Sequence, residues 1–329
     1  MRIFSSFKAE VLKTFYRKAV VITLLEQSKA LTMCEWIEES DSEGNYIRTK
    51  KYEGKLYVSL IPGNIKDHLE KIDSMEVRED DTFILSYPKS GTHWVFTIAS
   101  MLRTGKSTYI GSPQFLDYND VEVLDKLPSP RLFASHMTFD RLPRQVREGK
   151  GKVFVVSRNP KDVAVSLYTF LLKLNQADFS GSWEGFLRFY MEGKMLYGSW
   201  FQTLFDWEET EATYKGDNVM YLVYEDMKQD LLSNVNKMAS FLGVTYDQSF
   251  LEEVTDRCTF KTMVKTIIDE IKPQDQEFIH RMSDEKKLPI YRKGEVGDWK
   301  NHFTVAQNEV FDKLYQEKMR NSKCKFRFE

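Results

Sequence analysis

From residue 82 onward, apolar runs alternate with helical periods. Phe83-Ile84-Leu85 lies in a predicted strand over residues 82–87, and an apolar helical pattern follows over 92–103. Residues 131–135 read as a short strand ending at His136. Residues 152–157, Lys-Val-Phe-Val-Val-Ser, form a continuous apolar run rich in valine, the mark of a strand buried on both faces. Pro160 then suits the first turn of a helix carrying Val163, Val165, Leu167 and Phe170. Residues 219–224 predict another such strand, with Glu225-Asp226 opening a helix that runs to about Leu242. This rhythm predicts one α/β domain whose central, mostly parallel sheet is flanked by helices.

The first third of the chain has a different pattern. Phe4, Phe7, Val11, Phe15 and Ala19 recur at helical spacing, with Lys8, Lys13, Arg17 and Lys18 between them. We read this as a docked helix or an extension, in preference to a peripheral membrane contact of residues 1–25. Residues 35–54 are polar and turn-rich around Asp41-Ser42-Glu43-Gly44-Asn45, which predicts a surface excursion. The acidic cluster from Glu76 to Asp81 marks where the main sheet begins. The expected layout is a helical and polar extension over 1–54 and the α/β domain over 55–329.

Composition narrows the function classes. Among 329 residues, 42% are hydrophobic and 14% aromatic, which suits a packed enzyme and argues against disorder. A net charge of −2 gives no global field for nucleic acid, so a basic site must be local. Cys34, Cys258 and Cys324 show no metal spacing and no disulfide framework, which suits a reducing compartment. No stretch approaches the roughly 20 apolar residues of a membrane span. The expected location is therefore cytoplasmic, with no metal.

The candidate chemistry lies at strand ends. Tyr87-Pro88-Lys89-Ser90-Gly91-Thr92 joins a strand to a helix N-terminus, where free N–H groups converge on one spot and suit a phosphate or sulfate. Its Lys precedes its Gly, so it is not the Walker loop of an ordinary ATP or GTP hydrolase. Arg158 leaves a central strand and Ser166 follows two helical turns later; they suit a second phosphate, unless Arg158 merely pairs with Asp162. Arg292-Lys293-Gly294, with Gly297, Asp298 and Trp299, reads as a third anion loop, against the alternative of a solvated one. Lys89, His136, Arg158 and Tyr224 all lie at or just after the ends of predicted strands, where ligands of parallel sheets bind.

These segments resemble those of the cytosolic sulfotransferases. YPKSGTHW is similar to that family's 5′-phosphosulfate loop, RNPKDVAVS to its 3′-phosphate segment, and RKGEVGDWKNHFT to its third cofactor loop. KNHFTVAQNE is similar to its dimerisation motif. PSPRLFASH and RKGEVGDWKN look closest to the sixth vertebrate subgroup. The resemblance implies a nucleotide-kinase-like P-loop sulfotransferase fold and a donor, 3′-phosphoadenosine 5′-phosphosulfate. It assigns Lys89, Ser90, Gly91, Thr92, His93 and Trp94 to the phosphosulfate side. It assigns Arg158, Ser166, Arg292, Lys293 and Gly294 to the 3′-phosphate. Tyr224, Cys258, Thr259, Phe260 and Met263 would lie along the nucleotide, with Phe260 as a stacking ring. His136 matches the catalytic base and Lys89 the cation at the leaving oxygen. A homodimer through Lys300, Thr304, Val305 and Glu309 is implied.

The implied reaction moves a sulfuryl group to a hydroxyl or amine of a small, mostly apolar acceptor: a phenol, steroid, iodothyronine or arylamine. Phe139, Tyr168, Phe170 and Trp183 are the rings expected around it. Two positions depart from the family pattern. His93 stands where Thr is usual, and Ala134 where many members carry Lys. An imidazolium at His93 would favour an anionic donor, or the ring would pack behind the loop. The alternative reading is a nucleotide-binding homologue with little or no turnover because of His93. A nucleoside kinase of related fold is disfavoured by the missing Walker sequence.

Overall fold

The computed structural model describes residues 34–174, 178–270 and 290–329. The helix expected within residues 1–30 lies outside them. Five parallel strands form the main sheet in the order β5-β6-β4-β7-β9: β5 Gln114–Phe115, β6 Leu132–Ser135, β4 Thr82–Ser86, β7 Lys152–Ser157 and β9 Val219–Val223. Successive side chains of a strand point to opposite faces, and both faces here are apolar. Phe83, Leu85, Val153 and Val155 enter one core cluster, while Ile84, Phe154, Val156 and Leu222 enter the other. Helix Thr92–Thr104 packs on the second cluster and helix Pro160–Leu171 on the first. No helix among the described residues is long and apolar enough to cross a membrane.

Asp81 and Arg131 precede the first residues of β4 and β6. Their side chains are buried, and Arg131 Nε donates to Asp81 Oδ1 at 2.8 Å. The acidic cluster thus ends in a fixed ion pair that registers the central strands.

Two expectations need correction. Residues 35–57 are not an irregular excursion. β1 (Glu35–Ser40), β2 (Tyr46–Tyr52) and β3 (Lys55–Tyr57) pair antiparallel in sequence, and β8 (Phe179–Ser180) also pairs with β2. The predicted turn is present, with Asp41 Oδ1 accepting the N–H groups of Glu43 and Asn45. The flanking strands escaped notice because polar side chains dominate them; Ile47, Thr49 and Tyr52 are nonetheless buried. The helix expected to run to Leu242 is interrupted. Helix Tyr224–Gln229 ends at Asp230, whose carboxylate caps helix Leu231–Leu242 by accepting from Ser233 N. A capping carboxylate starts a new helix more readily than it sits inside one.

Candidate active site

Four strands deliver four side chains to one edge of the sheet. Lys89 lies beyond β4, and His136, Arg158 and Tyr224 directly follow β6, β7 and β9. All four line a single cavity of about 610 Å³. The loop before helix Thr92–Thr104 turns tightly, with Lys89 at φ 69° and Gly91 at φ 113°. A Cβ on Gly91 would come within 3.0 Å of the Tyr224 ring, so only glycine lets loop and ring approach this closely. Thr92 is held by a 2.5 Å hydroxyl contact with Ser86, and Trp94 Nε1 donates to the Cys258 carbonyl at 2.7 Å.

The cavity gathers most of the expected donor residues. Lys89, Gly91, Thr92, His93 and Trp94 line it, as do Arg158, Ser166, Tyr224, Phe260, Met263, Arg292, Lys293 and Gly294. Ser90, Cys258 and Thr259 do not. Ser90 is buried beneath the loop with no partner for Oγ. The Cys258 thiol is also buried, which pushes its pKa up to about 12. Thr259 is exposed, and its hydroxyl donates to the Asp256 carbonyl. Cys258 serves the site through its backbone alone.

The cations sit close together. Lys89 Nζ donates to the Ile290 carbonyl at 3.0 Å and lies 4.2 Å from the Phe170 ring centre. Burial, then the charges of Arg158, Arg292 and Lys173, push the Lys89 ammonium down to about 7. Arg158 donates to the Glu295 carbonyl at 3.0 Å and lies 4.2 Å from the Tyr224 ring centre. Its contact with Asp162 is looser, at 3.8 Å. Asp162 also accepts from Gly297 N and Trp299 N, tying the third loop to helix Pro160–Leu171. Glu225 Oε1 accepts from the backbone N–H and from Nδ2 of Asn159, next to Arg158, each at 2.9 Å.

The third loop is folded on its own carboxylate. Arg292 and Lys293 both pair with Asp298, Lys293 at 2.6 Å. Burial opposes ionisation there, but those cations and Asn301 hold the Asp298 carboxyl well below the usual range. Gly294 stands at φ 68°, and a Cβ would lie 2.2 Å from the Phe260 ring. Only glycine brings that ring and the loop's cations to one wall.

The ring of His136 is fixed in one tautomer. Its Nδ1 lies 2.8 Å from the Ser86 carbonyl, which can only accept, so Nδ1 carries the proton and Nε2 the free lone pair. Burial lowers its pKa, with Asp117 and the Ser86 carbonyl opposing, so the ring is neutral at neutral pH. Asp117 is fully buried and accepts the His136 backbone N–H at 3.1 Å. Sequence reasoning missed Asp117; a carboxylate two residues past the short strand Gln114–Phe115, at the same edge, was the available signal.

The expected acceptor rings are mostly elsewhere. Phe170 lines the cavity, but Phe139 packs on Tyr214, and Tyr168 and Trp183 pack on Phe186. On a helix, Ser166 and Phe170 share a face, and Tyr168 points away from it. The cavity's rings near His136 are instead Phe115, Tyr118 and Tyr197. His93 is in the wall between Phe115 and Tyr291. Burial, with Lys89 and His136 adding, pushes its imidazole down to about 3, so the expected imidazolium is absent near neutral pH. Ala134 is buried within β6, which puts no charge at that position.

The segment expected to mediate a dimer is partly exposed. Thr304 caps helix Val305–Lys318 in a reciprocal box with Gln307, while Val305 is 77% exposed and Glu309 is exposed. Lys300 pairs with Glu329.

A model of the sulfotransferase domain matches residues 79–323. An amine sulfotransferase of Oryctolagus cuniculus is 36% identical over 271 residues, covering 78% of this chain and 87% of that protein. Cytosolic sulfotransferase 1 of Danio rerio is 36% identical over 289 residues, covering 83% and 93%. A mouse sulfotransferase solved with PAP superimposes with a TM-score of 0.70 at 32% identity, covering 83% of this chain and 95% of that one. A retinol dehydratase solved with retinol and PAP reaches 0.72 at 17% identity, over 89% and 99%, which speaks for the fold alone.

Proposed function

The chain belongs to the cytosolic sulfotransferase family, and on that premise we propose that its cavity takes 3′-phosphoadenosine 5′-phosphosulfate and an apolar hydroxyl or amine acceptor, with His136 as general base. The observation that carries this is the meeting of Lys89, His136, Arg158 and Tyr224 from four strand ends in one cavity. The residues fit such a donor. Lys89, Arg158, Arg292 and Lys293 give the cavity the cations that a phosphosulfate and a 3′-phosphate need, and Phe260 offers a ring beside Gly294. Bound there, the donor supplies an electrophilic sulfur and a phosphate leaving group. His136 Nε2 takes the proton of the acceptor as its oxygen or nitrogen bonds to sulfur. Lys89 and the loop amides offset the charge on the departing oxygen. Phe115, Tyr118 and Tyr197 exclude water around His136 and suit an aromatic or steroid acceptor. We place the enzyme in the cytoplasm.

A labelled-donor screen over phenols, steroids, iodothyronines and arylamines tests the reading, with label transfer to at least one class expected. Tight binding of adenosine 3′,5′-bisphosphate without any transfer would instead favour the binding-only reading, for which His93 in the wall beside His136 is the motive.

Lys89 gives this site a pH dependence. Its ammonium titrates near 7 in the free site, and an adjacent phosphate or sulfate raises that value. Binding then takes up a proton, so affinity for adenosine 3′,5′-bisphosphate falls as pH rises from 7 to 9. The ligand's phosphates, with second pKa values of about 6, are already ionised there. Calorimetry should show this slope in wild type and His93→Thr and lose it in Lys89→Met. Equal slopes in all three would remove Lys89 from the phosphosulfate subsite.

We also assign assembly to Lys300, Thr304, Val305 and Glu309. Small interfaces are readily split, so Val305→Glu should convert a sedimenting dimer to monomer. An unchanged sedimentation coefficient would exclude this segment as the contact.

A further inference from the structure

His136 and Tyr197 line a second cavity as well as the first. It measures about 460 Å³, within the common range of about 300–1,000 Å³ for small-molecule sites. Its walls come from the β1–β3 hairpin and from residues after His136 and Gly193, well apart from the donor loops. In character it differs from the aromatic chamber. Lys51, Lys55, Arg141 and Lys194 line it against only Glu39 and Asp206. Lys55, Arg141 and Lys194 are ion-paired with Asp140, Glu53 and Glu39, but Lys51 has no such partner among the described residues. One further donor in the lining has no acceptor, the hydroxyl of Tyr57, a residue only 2% exposed. A buried donor without a partner calls for an explanation, and an acceptor-only group entering beside Tyr57 and Lys51 would supply it.

We propose that this side chamber holds a carboxylate carried on the acceptor itself, the same molecule whose hydroxyl or amine meets His136. The shared wall of His136 and Tyr197 is the reason for assigning both groups to one molecule. A free effector would gain nothing from lying against the base. The substrate class is then an aromatic alcohol or amine with an acidic side chain. This rests on the sulfotransferase reading above and adds the acidic tail to it.

The test compares hydroxyphenylalkanoic acids of graded chain length with their methyl esters. Two quantities are read: kcat/KM with donor, and equilibrium binding in the dead-end complex with adenosine 3′,5′-bisphosphate. One acid should bind roughly tenfold more tightly than its ester, a preference that weakens with salt. Lys51→Glu, at an exposed position, should lower the acid-over-ester ratio by about tenfold, and Tyr57→Phe by a smaller factor. Equal binding of acid and ester, or a ratio unmoved by Lys51→Glu, would overturn the proposal. So would inhibition of a neutral phenol by the acid that is not competitive. Turnover of the ester without acid preference would defeat the side chamber but keep the sulfotransferase reading. An acid preference in binding, sensitive to Lys51→Glu, without turnover of either would do the reverse.

Discussion

His136→Ala should lower transfer by about 10²–10⁴-fold while leaving affinity for adenosine 3′,5′-bisphosphate close to wild type. The split follows from the geometry. The ring is fixed by the Ser86 carbonyl and by Asp117 beneath its backbone, and its ring neighbours are Phe115 and Tyr197, which we propose face the acceptor. Burial lowers its pKa, and of the donor-side cations Lys89 acts on the ring through its charge and lowers it further, so the base stays neutral into mildly acidic solution. The wild-type rate should therefore hold from neutral pH to below ~6.5 and fall only in more acidic solution, as the imidazole protonates. Near-wild-type turnover in the alanine variant would remove His136 as the base. A matching loss of nucleotide affinity would make it a structural group instead.

Arg158→Ala should weaken adenosine 3′,5′-bisphosphate binding by about 1.5–3 kcal/mol, or roughly 10- to 150-fold. Adenosine 5′-phosphate, lacking the 3′-phosphate, should lose much less. The structure adds a complication that the sequence did not show. Arg158 donates to the backbone of Glu295 and stacks on Tyr224, so its removal also loosens the third loop. That general loosening affects both ligands, so the ratio of their affinities isolates the phosphate contact. Arg158→Lys keeps the charge but not the fork, and should recover only part of the discrimination. An unchanged ratio in Arg158→Ala would mean that Arg158 serves Asp162 and the loop, and not a phosphate.

Much of this site was legible because parallel sheets couple sequence to position. A continuous valine-rich run such as residues 152–157, broken by Asn159-Pro160, reads as an interior strand, and the residue after it then emerges at the carboxyl edge. His136, Arg158 and Tyr224 followed from that rule without knowledge of strand order, and the Lys89 loop from the strand-to-helix junction. The fold class followed from the same alternation.

Tertiary structure alone decided the rest. Phe170 and Tyr168 are two residues apart, yet one lines the cavity and the other the core, because helical rotation separates them and the packing of helix Trp183–Met191 fixes which face is covered. The β1–β3 hairpin carries a polar sequence, and its burial of Ile47 and Tyr52 appears only once it closes on the domain. Charge states followed the same logic. His93 and Lys89 titrate far from their usual values because of burial and of cations brought from distant strands, and a linear sequence holds neither quantity. The chain's local pattern thus determines which residues reach the edge of the sheet. Long-range packing determines what surrounds them there, since solvent exclusion and neighbouring charge are properties of the assembled fold.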